Sequence, residues 1–391
     1  MRSLSHRNTH HPVLALLLLP AAGLAGCPTP VDSGETGNVD CNEVSTARLK
    51  SQHAATLPSL DGDASDTAWD CLVTLEVPVL ADAVYTPADA PEEPSYPGLM
   101  DSTVTLRSVY SDTALYILVQ WDDPTLSLAR FPWVKAVDGT WSQMVNKDST
   151  GHENTWYEDK FAVQWDISAA EFSQSGCSAT CHKVEDETSE MYPGKKYTEY
   201  PGELTDMWHW KSVRTEPNGQ LDDKHVIYSD PNDPEDPKHY GRQGDAKESG
   251  GYTDNNHAKY GADCASDPDG TLSVPCFMGP DGATMVVGDT YWILEDEKQP
   301  FIDTFDVGDE VAGMITGPFI GSRGDVTTAS AWKDGVWTLE IMRDLTTAAG
   351  ESEDVQFDDL TVLYPFGVGV FDNTQINHAV HDGVLKLEFV D

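Results

Sequence analysis

The chain reads as a mainly β protein: an antiparallel β-sandwich with long loops and short helices inserted between its strands. Apolar residues alternate with polar ones in VTLRSVYSDTALYILVQWDD (104–123), YEDKFAVQWDIS (157–168), TVLYPFGVGVFDN (361–373) and GVLKLEFVD (383–391), the period of a strand with one buried face. Tight-turn residues, Ser111-Asp112 and Asp334-Gly335, sit in the middle of two such stretches, which is a hairpin pattern. Long helical periodicity is scarce.

The elements follow in order. Residues 1–26 read as an export signal. Arg2 and Arg7 give a basic start, and Val13 to Leu19 form an apolar run ending at Pro20, too short to span a bilayer. Leu24-Ala25-Gly26-Cys27 has the form of a bacterial lipobox, in which small residues precede a cysteine that becomes lipidated; an ordinary signal with a chance cysteine is the weaker reading. Residues 27–50 follow as lipidated cysteine and tether, polar with Pro and Gly. The folded domain is placed at 51–391. It opens with the turn-rich LDGDASDTAWD (60–70), passes through the hairpin at 104–123, and reaches a strand with Phe161, Val163 and Trp165 on one face. Residues 172–300 are rich in Asp, Gly, Pro, Tyr and His, too polar for a core, and read as long functional loops. TTASAWKDGVWTLEIMRDL (327–345) restores the hairpin pattern.

Lys and Arg number 24 and Asp and Glu 66, a formal net charge of −42. Such a surface repels nucleic acid and anionic headgroups and attracts cationic partners. The acids are spread along the chain, which suits plain solubility. No G-x-S-x-G or phosphate-binding glycine loop is present, and carboxylates are too many for a glycosidase pair to be singled out. Arg323-Gly324-Asp325 reads as a strand-connecting turn, and DPNDPED (230–236) as a solvated loop in preference to a calcium loop.

Export favours oxidised thiols. With Cys27 lipidated, six cysteines remain. Cys41 with Cys71, and Cys264 with Cys276, read as two structural disulfides, although sequence does not fix connectivity. Cys177 and Cys181 lie in GCSATCHK, one residue longer than the usual C-x-x-C-H haem motif. On a helix, cysteines four apart share a face and could form thioethers to one porphyrin, with His182 turned to the iron. A Cys177–Cys181 disulfide with a bystander histidine fits the spacing about as well, and a zinc site less well. Downstream, DMWHWKSVRT (206–215) offers His209 or Lys211 as a second axial ligand, with Trp208 and Trp210 walling an apolar pocket. A lysine must shed a proton of pKa about 10.4 to ligate, so His209 is the better donor on general chemistry. A buried strand or helix with Lys211 in a salt bridge is the other reading.

Taken together, LDGDASDTAWD, LYILVQWDDPT, YEDKFAVQWDI, GCSATCH, DMWHWKSVRT with Asp222-Asp223, Gly241-Arg242, GSRGDVTTASAWKDGVWTLEIMRDL and DVQF (354–357) resemble one family. It is the haem-binding domain of the γ subunits of ethylbenzene dehydrogenase and dimethylsulfide dehydrogenase and of a dihaem cytochrome c-552. The resemblance spans about 57–391. It implies a sandwich like the family-nine carbohydrate-binding modules, holding haem among loops at one end, and electron transfer without substrate turnover. In the γ subunits the haem is b-type with methionine and lysine ligands. The lysine corresponds to Lys211, and the methionine falls where GCSATCH puts His182; Met191 and His209 are fallbacks. Those γ subunits lack the cysteines, so Cys177 and Cys181 make c-type attachment the expectation.

The expected protein is thus a lipid-anchored extracytoplasmic cytochrome of a bacterial envelope, on the periplasmic or outer-membrane face. It is an electron carrier and not an enzyme. Its partner is a redox protein, basic to suit the acidic surface, and it meets the membrane through lipid only and no nucleic acid. The competing expectations are a haem-free glycan- or protein-binding sandwich with a Cys177–Cys181 disulfide, and a γ-like subunit of a molybdenum oxidoreductase.

Overall fold

The structure, a computed structural model, describes residues 43–81, 101–145, 156–183, 194–230, 233, 240–280, 291–376 and 378–391. The export signal, Cys27, Cys41 and Met191 lie outside the described residues.

The architecture is mainly β and largely antiparallel, as expected. One half of the main sheet runs Arg242–Gly244, Asp222–Ile227, Leu204–Lys211, Lys160–Asp166, Leu363–Phe371. The other runs Thr74–Ala81, Ser102–Tyr110, Ala114–Asp122, Val336–Asp344, Thr327–Lys333, and the short strand Ala379–Val380 joins the two. Leu385–Val390 pairs with Leu363–Phe371 and, in parallel, with Arg48–His53. The fold therefore takes in Arg48–His53, which composition had partly assigned to the tether.

Both expected hairpins form. Val104 faces Trp121 across the first, and Lys333 faces Val336 across the second. Asp334 and Gly335 both take positive φ, 53° and 85°, the backbone of a type I′ turn. Period-two alternation then sends Phe161, Val163, Trp165, Trp121, Trp337, Phe366 and Leu387 into one core. Trp121 stacks on Trp337 at 6.1 Å and on Phe161 at 5.3 Å. Trp69, from LDGDASDTAWD, is buried beside Leu72 and Leu118, and its indole donates to Glu340 at 2.9 Å.

The middle of the chain is less loop-like than its polarity predicts. Asp222–Ile227 is a buried strand of the main sheet. Ser249–Asp254, Met314–Ile320 and Trp292–Leu294 form a small sheet of their own. Trp133, Trp141, Met278, Phe301, Phe305 and Val311 build a second core, and Cys264 and Cys276 are bonded to each other as expected. Cys71 is also disulfide-bonded. Aromatics scattered thinly among polar residues are enough for these packings because each buries a large area. Among the described residues no helix is long and apolar enough to cross a membrane.

Candidate functional site

The strand Leu204–Lys211 presents alternate residues to opposite faces of its sheet. Asp206, Trp208 and Trp210 point inward. Trp208 packs on Trp165 at 5.1 Å and Trp210 on Trp337 at 5.0 Å. Thr205, Met207, His209 and Lys211 take the outer face. The two tryptophans expected to wall a pocket beside His209 thus belong to the sandwich core, since neighbours along a strand point to opposite sides.

Register assembles the outer face. Gly369, Ala162, His209 and Asp222 form one row across four strands, and Gly367, Gln164, Met207 and Lys224 the next. Two glycines and an alanine leave a nearly flat floor on the Leu363–Phe371 and Lys160–Asp166 strands. A β-carbon at Gly367 would stand 3.2 Å from that of Cys177, and one at Gly369 3.1 Å from the His378 ring. Cys177 and His378 therefore close directly over the floor.

The cysteine segment is not the helix its spacing suggests. Gly176–Thr180 is a 3₁₀ turn, and Cys181–Lys183 starts a hairpin with Gly194–Lys196. Gly176 takes φ 56°, and a β-carbon there would lie 2.0 Å from the Gly383 carbonyl oxygen, so only glycine fits. Cys177 is buried and Cys181 half-buried, and neither is in a disulfide. Burial pushes the Cys177 thiol up to about 11, with Lys196 opposing and Cys181 adding. Lys196 Nζ lies 3.2 Å from Cys181 Sγ and 2.9 Å from Gln164 Oε1. His182 stacks on Tyr197 at 3.5 Å, and its Nε2 lies 3.1 Å from the Tyr197 carbonyl oxygen.

His209 differs from every other member of the group. It is 6% exposed, and neither ring nitrogen has a hydrogen-bond partner. Burial, reinforced by Lys211, Lys160 and Arg242, holds its pKa well below the usual value, so the imidazole is neutral with a free lone pair. Lys211, two residues on, is ion-paired with Asp222 as the salt-bridge reading anticipated. Burial depresses its pKa, and Asp222 opposes. Asp222 also accepts from Lys224 at 2.9 Å, Arg323 at 2.6 Å and the Tyr252 hydroxyl at 2.7 Å. Burial alone would raise the Asp222 pKa, but its cations outweigh that and hold it well below the carboxylate range. Arg323-Gly324-Asp325 is indeed a turn, and its arginine reaches into this network. Lys160 lies over Phe371 at 4.2 Å, its pKa held well below the usual lysine range by burial and by Arg214. In a chain of net charge −42, the outer face is a local concentration of positive groups.

This donor set fits a haem. The group is a flat macrocycle bearing two carboxylates, and its iron takes axial nitrogen or sulfur donors. An orphaned imidazole, neighbouring thiols and nearby basic groups are the complementary features, with Cys177 and His378 lying over the glycine floor. Sequence reasoning missed Gly367, Gly369, Gln164, Lys196, Tyr197 and His378. A usable signal was present in GVGV within the strand 363–371: glycine at every second residue strips one face of its side chains while the other stays apolar.

No curated protein matches the sequence. Among solved structures, a family-nine carbohydrate-binding module from Caldicellulosiruptor kristjanssonii matches in its glucose and cellotriose complexes. Each is 9% identical, covering 88% of this chain and 95% of that one, with a TM-score of 0.31. The sequence model described as ethylbenzene dehydrogenase matches residues 66–383. That span takes in the glycine floor, both cysteines, His182, His209 and Lys211, and the chain belongs to the ethylbenzene dehydrogenase family.

Proposed function

We propose that this chain is a haem-binding electron-transfer protein whose haem lies on the outer sheet face. The observation that carries the reading is His209: a buried neutral imidazole with both nitrogens unpartnered, beside a floor of Gly369 and Ala162. A bound haem supplies one-electron iron chemistry. Cys177 and Cys181 would hold it covalently, as thioethers formed by addition of each S–H across a vinyl group. The surplus cations of the outer face meet its carboxylates.

His209 and Lys211 lie on one side of the sheet, about 7 Å apart along the strand, so either, and not both, would hold a group lying on that face. The family resemblance implies Lys211 with His182. The geometry supports His209 in place of Lys211, because Lys211 is already ion-paired. His182, which now contacts the Tyr197 carbonyl, would be the second residue to hold the group. Were the iron held by two residues of the chain, it would be closed to substrate, which would suit electron transfer.

The carrier is proposed to sit at a bacterial envelope through lipid on Cys27 and to dock a basic redox partner through its acidic surface. Electron exchange insensitive to salt would count against that docking. The central test is a pyridine haemochrome spectrum of the full chain made with cytochrome c maturation factors. A Soret band that resists extraction by acidified organic solvent is expected. Its absence overturns the haem reading, and an extractable haem overturns the covalent part. His209→Ala is expected to change the axial-ligand spectrum and Lys211→Met to leave it; the reverse restores Lys211 as ligand.

A further inference from the structure

The inner side of the same sheet carries a second cluster, separate from the haem face. Asp206 points inward beside Trp208, and Asp223, opposite Trp208 in register, points the same way. Asp354 joins them from the segment leading to Val355 and Phe357. The three are fully buried, and one oxygen from each lies within 4.8 Å of the others. Two donors on one calcium ion, at about 2.4 Å each, stand at most about 4.8 Å apart.

Each carboxylate is fixed through one oxygen and open at the other. Asp206 Oδ2 accepts from Trp208 Nε1 at 3.1 Å and from the Val355 amide at 3.0 Å. Asp223 Oδ1 accepts from the Lys224 amide at 2.9 Å, and Asp354 Oδ2 from the Thr347 hydroxyl. Asp206 Oδ1, Asp223 Oδ2 and Asp354 Oδ1 are buried with no partner.

A residue outside the trio repeats the pattern. Asp245 is 3% exposed, and its amide donates to the Asp223 carbonyl oxygen at 3.3 Å. It binds His225 through Oδ1 at 2.5 Å and leaves Oδ2 buried and unpartnered. The cation facing the trio is Arg343, 3.8 Å from Asp354; its Nη2 donates to the Val355 carbonyl oxygen, and its Nε and Nη1 have no partner. Arg343 and His225 together do not balance these four carboxylates and the neighbouring Asp325, and open buried carboxylate oxygens are costly.

We propose that Asp206, Asp223 and Asp354, with Asp245 at the margin, hold a divalent cation of the calcium type. An all-oxygen carboxylate set without cysteine or histidine ligands suits a hard ion, and a cage supplied mostly by protein suits calcium over magnesium, which keeps its waters. The ion would tie the Leu204–Lys211 and Asp222–Ile227 strands to the loop at 354 from behind the haem face. The readouts below do not involve haem, so this inference stands or falls apart from the proposed function.

The test uses the full chain stripped with a chelator and titrated with Ca²⁺ alone. Calorimetry is expected to find one bound ion. At a hundredfold excess over Kd, Tm is expected to rise by about 4 °C or more, with a smaller rise in Mg²⁺. Asp223→Asn and Asp354→Asn are expected to abolish the Ca²⁺-dependent rise. No heat and no rise with the unaltered chain overturns the proposal, whether or not the variants fold. A Ca²⁺ rise that survives both substitutions overturns the assigned residues. Without an ion, Asp→Asn relieves buried like charge and should raise the Tm of the stripped protein, so a stabilised variant combined with an unresponsive parent is the clearest refutation.

Discussion

Lys211→Met and Asp222→Asn remove opposite ends of one buried ion pair, yet the structure makes their costs unequal. Asp222 is fully buried and serves three cations, Lys211, Lys224 and Arg323, besides the Tyr252 hydroxyl. Removing the carboxylate leaves all three cations without their common counter-charge. Breaking a buried pair in that way costs roughly 3–5 kcal/mol. Removing Lys211 leaves the carboxylate with Lys224 at 2.9 Å, Arg323 at 2.6 Å and Tyr252 at 2.7 Å. One charged hydrogen bond is lost, about 1.5–3 kcal/mol, offset in part because a buried ammonium no longer has to be desolvated. The net expectation is about 1 kcal/mol for Lys211→Met against about 4 for Asp222→Asn. The assay is urea unfolding of the haem-free chain at pH 7, fitted by linear extrapolation with a common slope. Equal losses would refute the reasoning, because they would mean that the carboxylate depends on Lys211 alone. The asymmetry bears on function too: only if Asp222 keeps other partners can Lys211 be spared for another role.

Three further outcomes follow from the structure. Burial, then Asp372, raises the Asp123 carboxyl to about 8; a raised carboxyl stabilises most below its unfolded pKa of about 3.9 and loses that contribution as pH climbs to about 8. Relative to Asp123→Asn, the parent chain in chelator should therefore weaken between pH 4 and 8, and parallel pH profiles in urea unfolding would exclude this. Glu340 accepts from Trp69 Nε1 at 2.9 Å and from the amides of Asp61 at 2.9 Å and Gly62 at 2.8 Å, so Glu340→Ala should cost about 3 kcal/mol, and a loss under about 1 in denaturant titration contradicts the assignment. Gly369→Val places atoms on the flat floor, with the first β-carbon 3.1 Å from His378; haem content by absorbance should fall severalfold while far-ultraviolet circular dichroism keeps its strand signature, and full haem loading rules out the floor.

Much of the scaffold was legible. Asp334-Gly335 announced its turn because only a few residues accept two consecutive positive φ values, and Phe161, Val163 and Trp165 lie in the core as their spacing requires. Strand alternation also held the correction for Trp208 and Trp210, since a strand cannot send adjacent residues into one pocket. The polarity of residues 222–227 misled because Asp222 and Lys224 are buried as an ion pair on the outer face while Asp223 is buried on the inner side, which composition does not reveal. The meeting of Asp206, Asp223 and Asp354 was illegible for a different reason: their separation in sequence is large, and carboxylates are common throughout the chain. The placement of His209 without a partner likewise depends on which neighbours cross the sheet, and register is a property of the assembled strands.

The alternation of Leu204–Lys211 has a consequence for how this stretch can change over evolutionary time. Its inward residues belong to the core and the carboxylate cluster, and its outward residues to the histidine and lysine side. A single-residue insertion or deletion within it would invert both sets at once, sending tryptophans to the cover and the imidazole to the interior. Length variation among descendants of this sequence should therefore gather in the exposed turn at 199–203, while the strand itself drifts only by substitution.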